Sequence, residues 1–271
     1  MYELYRDHFY KAAPLLENGH PHPEVQSILE NNNPGWIFTD RIDSPRTALV
    51  WSKGMKGFYL IGDEANDAFT DKLDDFIRTG IAPRMKELGM NYFEVSGHHD
   101  QWNLNSLFAA REKLDLWDQL VYVSSYSEAH TEELSGDRCF RAVNLRTPEW
   151  RNQDFLNKEF VYAHIKQFWE TQEGFYNKGY GYAAIEGSKI IGVCYSSFVT
   201  KETHAIGIET LPQHHKRGVG SYLASLVVKD IAQNGFSSYW DCSQSNEASK
   251  KLALRLGFQQ VHRYKCAGFT L

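Results

Sequence analysis

The chain has 271 residues, 42% of them hydrophobic and 23% charged, a length that holds one large or two small domains of about 100–200 residues each. Seven Trp, 15 Tyr and 16 Phe exclude a solvated, disordered chain, and no stretch approaches the ~20 consecutive apolar residues of a membrane span. Twenty-nine Lys and Arg against 34 Asp and Glu leave a net charge of −5, which argues against a nucleic-acid partner. The four cysteines, Cys139, Cys194, Cys242 and Cys266, form no CxxC pair and no zinc-ligand spacing. Reduced thiols, no metal and a cytoplasmic location are expected. The opening MYELYRDHFYKAAP lacks a basic segment followed by an apolar run, so no secretory signal is expected.

Residues 1–35 read as irregular, broken by Pro14, Pro21, Pro23, Pro34 and Asn31-Asn32-Asn33, with a short helix over Val25–Glu30. Thr47–Trp51 and Phe58–Ile61 predict a hairpin around Lys53-Gly54 and Lys56-Gly57. Phe69–Leu88 predicts a helix that Pro83 kinks or restarts and Gly89 closes. A strand at Tyr92–Val95, a helix at Leu104–Leu114 and a strand at Leu120–Ser124 follow. The polar run 127–138, with Gly136, predicts a linker between a domain at 1–135 and one at 136–271.

The second half begins with a strand at Cys139–Leu145 and a helix at Asp154–Thr171. Strands follow at Tyr180–Ile185, Ile190–Val199 and Thr203–Leu211. A basic glycine loop leads into a helix over Ser221–Gln233. A strand at Ser238–Cys242, a helix at Glu247–Leu256 and a strand at Phe258–Cys266 complete the chain. Residues 69–124 and 221–266 share one element order, a faint internal repeat.

The loop Pro212-Gln-His-His-Lys-Arg-Gly-Val-Gly-Ser221 is the segment with chemistry. Glycines let backbone N–H groups approach a ligand, and a helix start offers free N–H donors with partial positive charge. Together they form a phosphate cradle, with Lys216 and Arg217 adding charge. A tight strand-to-helix turn with solvated cations is the plainer reading. The loop is neither a Walker loop nor a dinucleotide fingerprint.

The order strand, basic Gly loop, helix, strand, polar turn with Asn246, helix, Leu256-Gly257-Phe258, strand resembles the C-terminal half of the GNAT N-acetyltransferase superfamily. The family's loop Gln/Arg-x-x-Gly-x-Gly/Ala is matched by His215-Lys-Arg-Gly218-Val-Gly220. The layout also resembles a bacterial subgroup with a diverged N-terminal half that includes antibiotic-acetylating enzymes. The resemblance implies a mixed, mostly antiparallel α/β sheet flanked by helices over 136–271. The smaller N-terminal half is expected to be a degenerate GNAT-like α/β unit. It implies acetyl-CoA as co-substrate, held by His215, Lys216, Arg217, Gly218, Val219, Gly220 and Ser221 at its pyrophosphate. Thr210, Leu211 and Asn246 would lie along its pantetheine arm.

Two departures stand out. His215 replaces Gln or Arg, and Ala253 stands where the family carries its proton-donating tyrosine, seven residues after Asn246. An amine nucleophile needs a base near neutrality. His204 and Glu209, on the strand before the loop, are the candidates, each with a plain alternative as a satisfied strand residue. His204, Ile206, Ile208 and Thr210 share one strand face and Glu209 the other, unless a bulge re-aims it. His98-His99-Asp100 reads as a polar loop, Tyr180-Gly-Tyr182 as hairpin packing, and Cys242 as a core thiol.

The sequence therefore predicts acetyl transfer to a small-molecule amine by direct attack, with one CoA per chain and no nucleic acid or membrane. The alternatives are a non-catalytic acyl-CoA-binding or regulatory protein, suggested by Ala253, and a nucleotide-binding protein of another α/β fold.

Overall fold

The computed structural model describes residues 1–17, 19–124 and 139–271. The linker expected at 127–138 lies outside the described residues. The chain divides into two compact units, Met1–Leu120 with His262–Leu271, and Val121–Val261. This differs from the contiguous division at 135/136, because the C-terminal strand joins the sheet of the first unit.

The first unit holds β1 (Tyr2–Leu4), a 3₁₀ segment (Arg6–Leu16), α1 (Pro23–Leu29), β2 (Gly35–Thr39), β3 (Thr47–Ser52) and β4 (Gly57–Gly62). After α2 (Asp67–Phe76), a π-helical turn at Ile77–Ile81 and α3 (Ala82–Glu87) come β5 (Tyr92–Gly97) and α4 (Leu104–Leu107). The unit boundaries cut β6 (Asp115–Ser124) and β12 (Gln259–Thr270). β1 to β4 form an antiparallel meander. β5 runs parallel to β4, and Cys266–Thr270 of β12 lies antiparallel to β5.

β3 is buried along its whole length, as a strand covered on both faces must be. Leu49, Trp51, Phe58 and Leu60 pack with Leu73, Ile77, Ile81 and Met85 of the helical segment. Ala48, Val50, Tyr59 and Ile61 pack on the other face with Phe9, Val25 and Ile28. Pro83 stands in the first turn of α3, and the π turn before it accommodates the missing N–H. Gly89, at φ +72°, closes the helix.

The helix expected over 104–114 is a single turn. Asn103 caps it, and Phe108 turns out of helical geometry to bury its ring in the core. β2 was not legible behind Pro34. It is held by Trp36, which stacks on Trp51 at 3.9 Å beneath the Arg84 guanidinium.

The second unit comprises β7 (Arg141–Asn144), α5 (Pro148–Asn152), α6 (Lys158–Phe168), α7 (Gln172–Lys178), β8 (Gly181–Glu186), β9 (Lys189–Val199) and β10 (Thr203–Thr210). It continues with α8 (Val219–Gln233), β11 (Ser237–Ser243) and α9 (Glu247–Arg255). Strands β7 to β10 are antiparallel in chain order, and β11 runs parallel to β10. The fold class matches the expected mixed, mostly antiparallel sheet flanked by helices. The internal repeat is visible in topology: α2/α3, β5, α4, β6 against α8, β11, α9, β12.

Candidate functional site

The two parallel strand pairs differ at their C-terminal ends. In the first unit β4 and β5 stay paired through Leu60↔Gly97, and His98 N–H continues onto Leu60 C=O at 2.9 Å. In the second unit β10 and β11 pair only at Thr203↔Ser237, His204↔Ser238 and Ala205↔Tyr239. Beyond these, Ile206–Thr210 and Trp240–Ser243 run on without pairing to each other. A gap therefore opens between β10 and β11 toward their C-terminal ends.

The basic loop closes the top of β10. Lys216 adopts φ +59° and Gly218 φ +77°. A left-handed lysine stores strain of the kind that clusters at ligand-binding turns. Gly218 is the N-cap of α8 and brings no side-chain acceptor, so the first-turn N–H groups of Val219, Gly220 and Ser221 have no intrahelical partner. Alternating left-handed turns at a helix start make an anion-binding concavity. A β-carbon on Gly220 would lie 3.1 Å from Ile208 Cδ1, 3.7 Å from Thr210 Oγ1 and 3.8 Å from Leu252 Cδ2. Gly220 thus sits against residues of β10 and α9, where a side chain would intrude.

The loop cations are unequal. Arg217 is tied to Glu186 and to His214 Nδ1, so its charge is already matched. Lys216 is exposed and makes no ion pair among the described residues. His215 Nε2 lies 2.8 Å from Thr210 C=O and donates to it. Asn246 caps α9, its Oδ1 accepting from Ser249 N–H at 3.1 Å. Ala253 is wholly buried, and Trp240 Nε1 donates at 2.8 Å to Ser249, one turn earlier on α9.

The two base candidates occupy different environments. His204 is 1% exposed, packed between Tyr180 and Phe236 at the paired end of β10. Ser196 Oγ accepts from Tyr180 N–H and lies 3.0 Å from His204 Nδ1, so the hydroxyl donates to a neutral ring. Burial, aided by Arg146, pushes the His204 pKa down to about 4. That position offers a soluble substrate no access. Glu209 is exposed near the open end, and its charge acts on His164 and Tyr195. The register shift lies between His204 and Ile206, before Glu209, so Glu209 keeps the face that alternation gives it.

Cys194, Cys242 and Cys266 are buried, Cys139 is exposed, and none of the four forms a disulfide. Burial pushes the Cys242 thiol up. No group of three His, Cys, Asp or Glu among the described residues is arranged to hold a metal. No described helix is long and apolar enough to cross a membrane.

The sequence missed one cluster. His98 lies in the expected loop after β5 but is 1% exposed, and its Nε2 donates to His20 C=O at 2.6 Å. His22 lies 5.5 Å from His98 and 5.0 Å from Tyr264, ring centre to ring centre, and His262 stacks on His20 at 3.5 Å. These residues are separated by up to 244 positions in the chain, so no spacing pattern could have revealed them.

A family model for the GNAT acetyltransferases matches residues 13–267. The chain belongs to the GNAT acetyltransferase family. An uncharacterized N-acetyltransferase, YdfB of Bacillus subtilis, is 23% identical over 268 residues, covering 97% of this chain and 96% of that one. A GCN5-related N-acetyltransferase-like protein of Streptococcus suis superposes with a TM-score of 0.69 at 16% identity, covering 96% and 98% of the two chains. A tandem GNAT protein from the clavulanic acid biosynthesis pathway superposes at 0.61 with 10% identity, over 97% and 95%. Both structural matches extend across this chain's two units.

Proposed function

We propose that this GNAT-family chain transfers an acetyl group from acetyl-CoA to a primary amine of a small molecule. The observation that carries this is the gap between β10 and β11 beside a helix start with uncapped N–H groups. These residues fit a thioester with a pyrophosphate. The N–H groups of Gly218 to Ser221 and the free Lys216 would hold the phosphates. Thr210, Leu211 and Asn246 would line the pantetheine arm. The closed β4–β5 pair has no such gap, which supports one donor site per chain.

When bound, acetyl-CoA supplies an activated acyl thioester. Glu209, exposed at the strand end, would accept the proton that the attacking amine sheds. Direct attack in a ternary complex is favoured, because the raised Cys242 thiol is a poor nucleophile at neutral pH. His204 is not retained as the base. Ala253 offers no proton, so the chain would rely on the low basicity of a thiolate, whose conjugate acid has a pKa of ~8.5.

The test is calorimetry with acetyl-CoA on wild type and Gly220→Trp, followed by CoASH release across an amine panel. Saturable one-to-one binding lost in the variant, with thiol release on an amine, supports the reading. Absence of binding to wild type removes it. Ala253 favours one second reading, a non-catalytic acyl-CoA-binding protein, which predicts binding with no thiol release on any amine.

A further inference from the structure

We infer that the free protein caps its own donor-binding edge at Thr210, and that acyl-CoA binding releases Glu209 from that cap. This rests on the acetyl-CoA reading above and adds a coupling between donor binding and the base.

The argument begins with strand geometry. In an antiparallel ladder both backbone groups of a residue face the same side, and successive residues alternate. Leu211 donates its N–H to Ile191 C=O on the β9 side at 3.0 Å. Thr210, one residue earlier, therefore presents its N–H and C=O to the opposite side, toward the gap. Both are occupied by side chains of this chain. Thr210 N–H donates to Glu209 Oε1 at 3.2 Å, and Thr210 C=O accepts from His215 Nε2 at 2.8 Å. A ligand amide pairing with this edge must displace both.

Glu209 and His215 thus act as a displaceable plug. While Thr210 N–H holds the Glu209 carboxylate, that carboxylate is engaged by the strand edge. A ligand carbonyl that takes over the N–H frees it for an amine. His215, where the family has Gln or Arg, is the matching half at the carbonyl. Apparent donor affinity is scaled down to the fraction of molecules in which the plug is displaced.

The test uses the full chain with acetyl-CoA in calorimetry, on wild type, Glu209→Gln and Glu209→Ala. Glu209 is exposed, so neither change opens the core. Gln removes the charge but keeps a carbonyl that can cap Thr210, whereas Ala removes both. The expected result is that Glu209→Ala binds about two- to fivefold tighter than Glu209→Gln, the worth of one weak hydrogen bond. Amide exchange supplies a second readout: the Thr210 N–H should exchange faster in Glu209→Ala than in Glu209→Gln without ligand. Equal affinities and equal exchange in the two variants would overturn the cap while leaving the donor site standing. No binding to wild type would overturn the donor site and the cap together.

Discussion

Gly220 lies against Ile208: a β-carbon there would approach Ile208 Cδ1 to 3.1 Å. The glycine stands at the first turn of α8 and the isoleucine on the unpaired stretch of β10. This contact decides what a side chain at 220 does. A methyl group needs only a small shift of the flexible Ile208 end. An indole has to project between β10 and α9.

Gly220→Trp should therefore weaken acetyl-CoA binding at least ~100-fold, because water and ligand are excluded from the same volume. Gly218→Ala acts differently. Nothing lies within 4 Å of its added β-carbon, but φ is +77°. Its cost is backbone strain of roughly 1–2 kcal/mol. Calorimetry and thermal melting on both variants separate the two effects. A Gly220→Trp protein that binds as wild type does would show that the gap is not the donor seat.

His204→Phe should lower stability by about 1–3 kcal/mol, because it leaves the Ser196 hydroxyl without its ring acceptor. It should leave the shape of the pH–rate profile unchanged. A general base would instead be worth about 10²–10⁴ in rate. Urea melts and turnover of a reactive amine across pH 6 to 9 distinguish these outcomes. A loss of that size with stability intact would return His204 to the catalytic list.

Burial lowers the His22 and His98 pKa values to about 4, and nearby imidazoles push the same way. Their unfolded value is ~6.5, so below that pH the unfolded chain binds protons that the folded chain refuses. The stabilising effect of their neutrality is present in full above pH 6.5 and is lost as pH falls from 6.5 toward 4. Each ring contributes up to about 3 kcal/mol, and two rings this close do not add independently. Urea midpoints at pH 8.0, 6.5, 5.5 and 4.5 should stay level over the first pair and then fall. A profile flat to pH 4.5 would contradict the burial of the cluster.

Glu186→Gln should release Arg217 to the phosphate loop. The expected gain is about two- to fivefold in acetyl-CoA affinity, with a steeper salt dependence. The melting temperature should barely move, since the pair is exposed on both sides. Affinity that falls instead would mean Glu186 holds Arg217 in its binding pose.

The glycines and prolines made much of the second unit legible. Gly187 turns one hairpin, Gly235 and Gly257 end two helices with positive φ, and Gly218 starts a third. Each requires a backbone conformation that other residues resist, so the residue type reports the geometry. The apolar spacing of Leu223, Leu226 and Val227 reported the face of α8 for the same local reason, with Leu223 and Val227 buried and Leu226 half-buried. The loop His215 to Ser221 was readable because its residues are contiguous.

Properties set by distant partners were not readable. Whether Arg217 is free depends on Glu186, 31 positions away. Whether a strand histidine is a base depends on Tyr180, Ser196 and Phe236 packing over it. The division into compact units differs from the contiguous boundary because β12 pairs with β5, a choice made by long-range strand pairing rather than by any turn signal. Local sequence determined the elements and the cradle. Tertiary packing decided which charges are spent, which imidazoles are buried and where the parallel strands part, because burial and pairing are properties of neighbours in space.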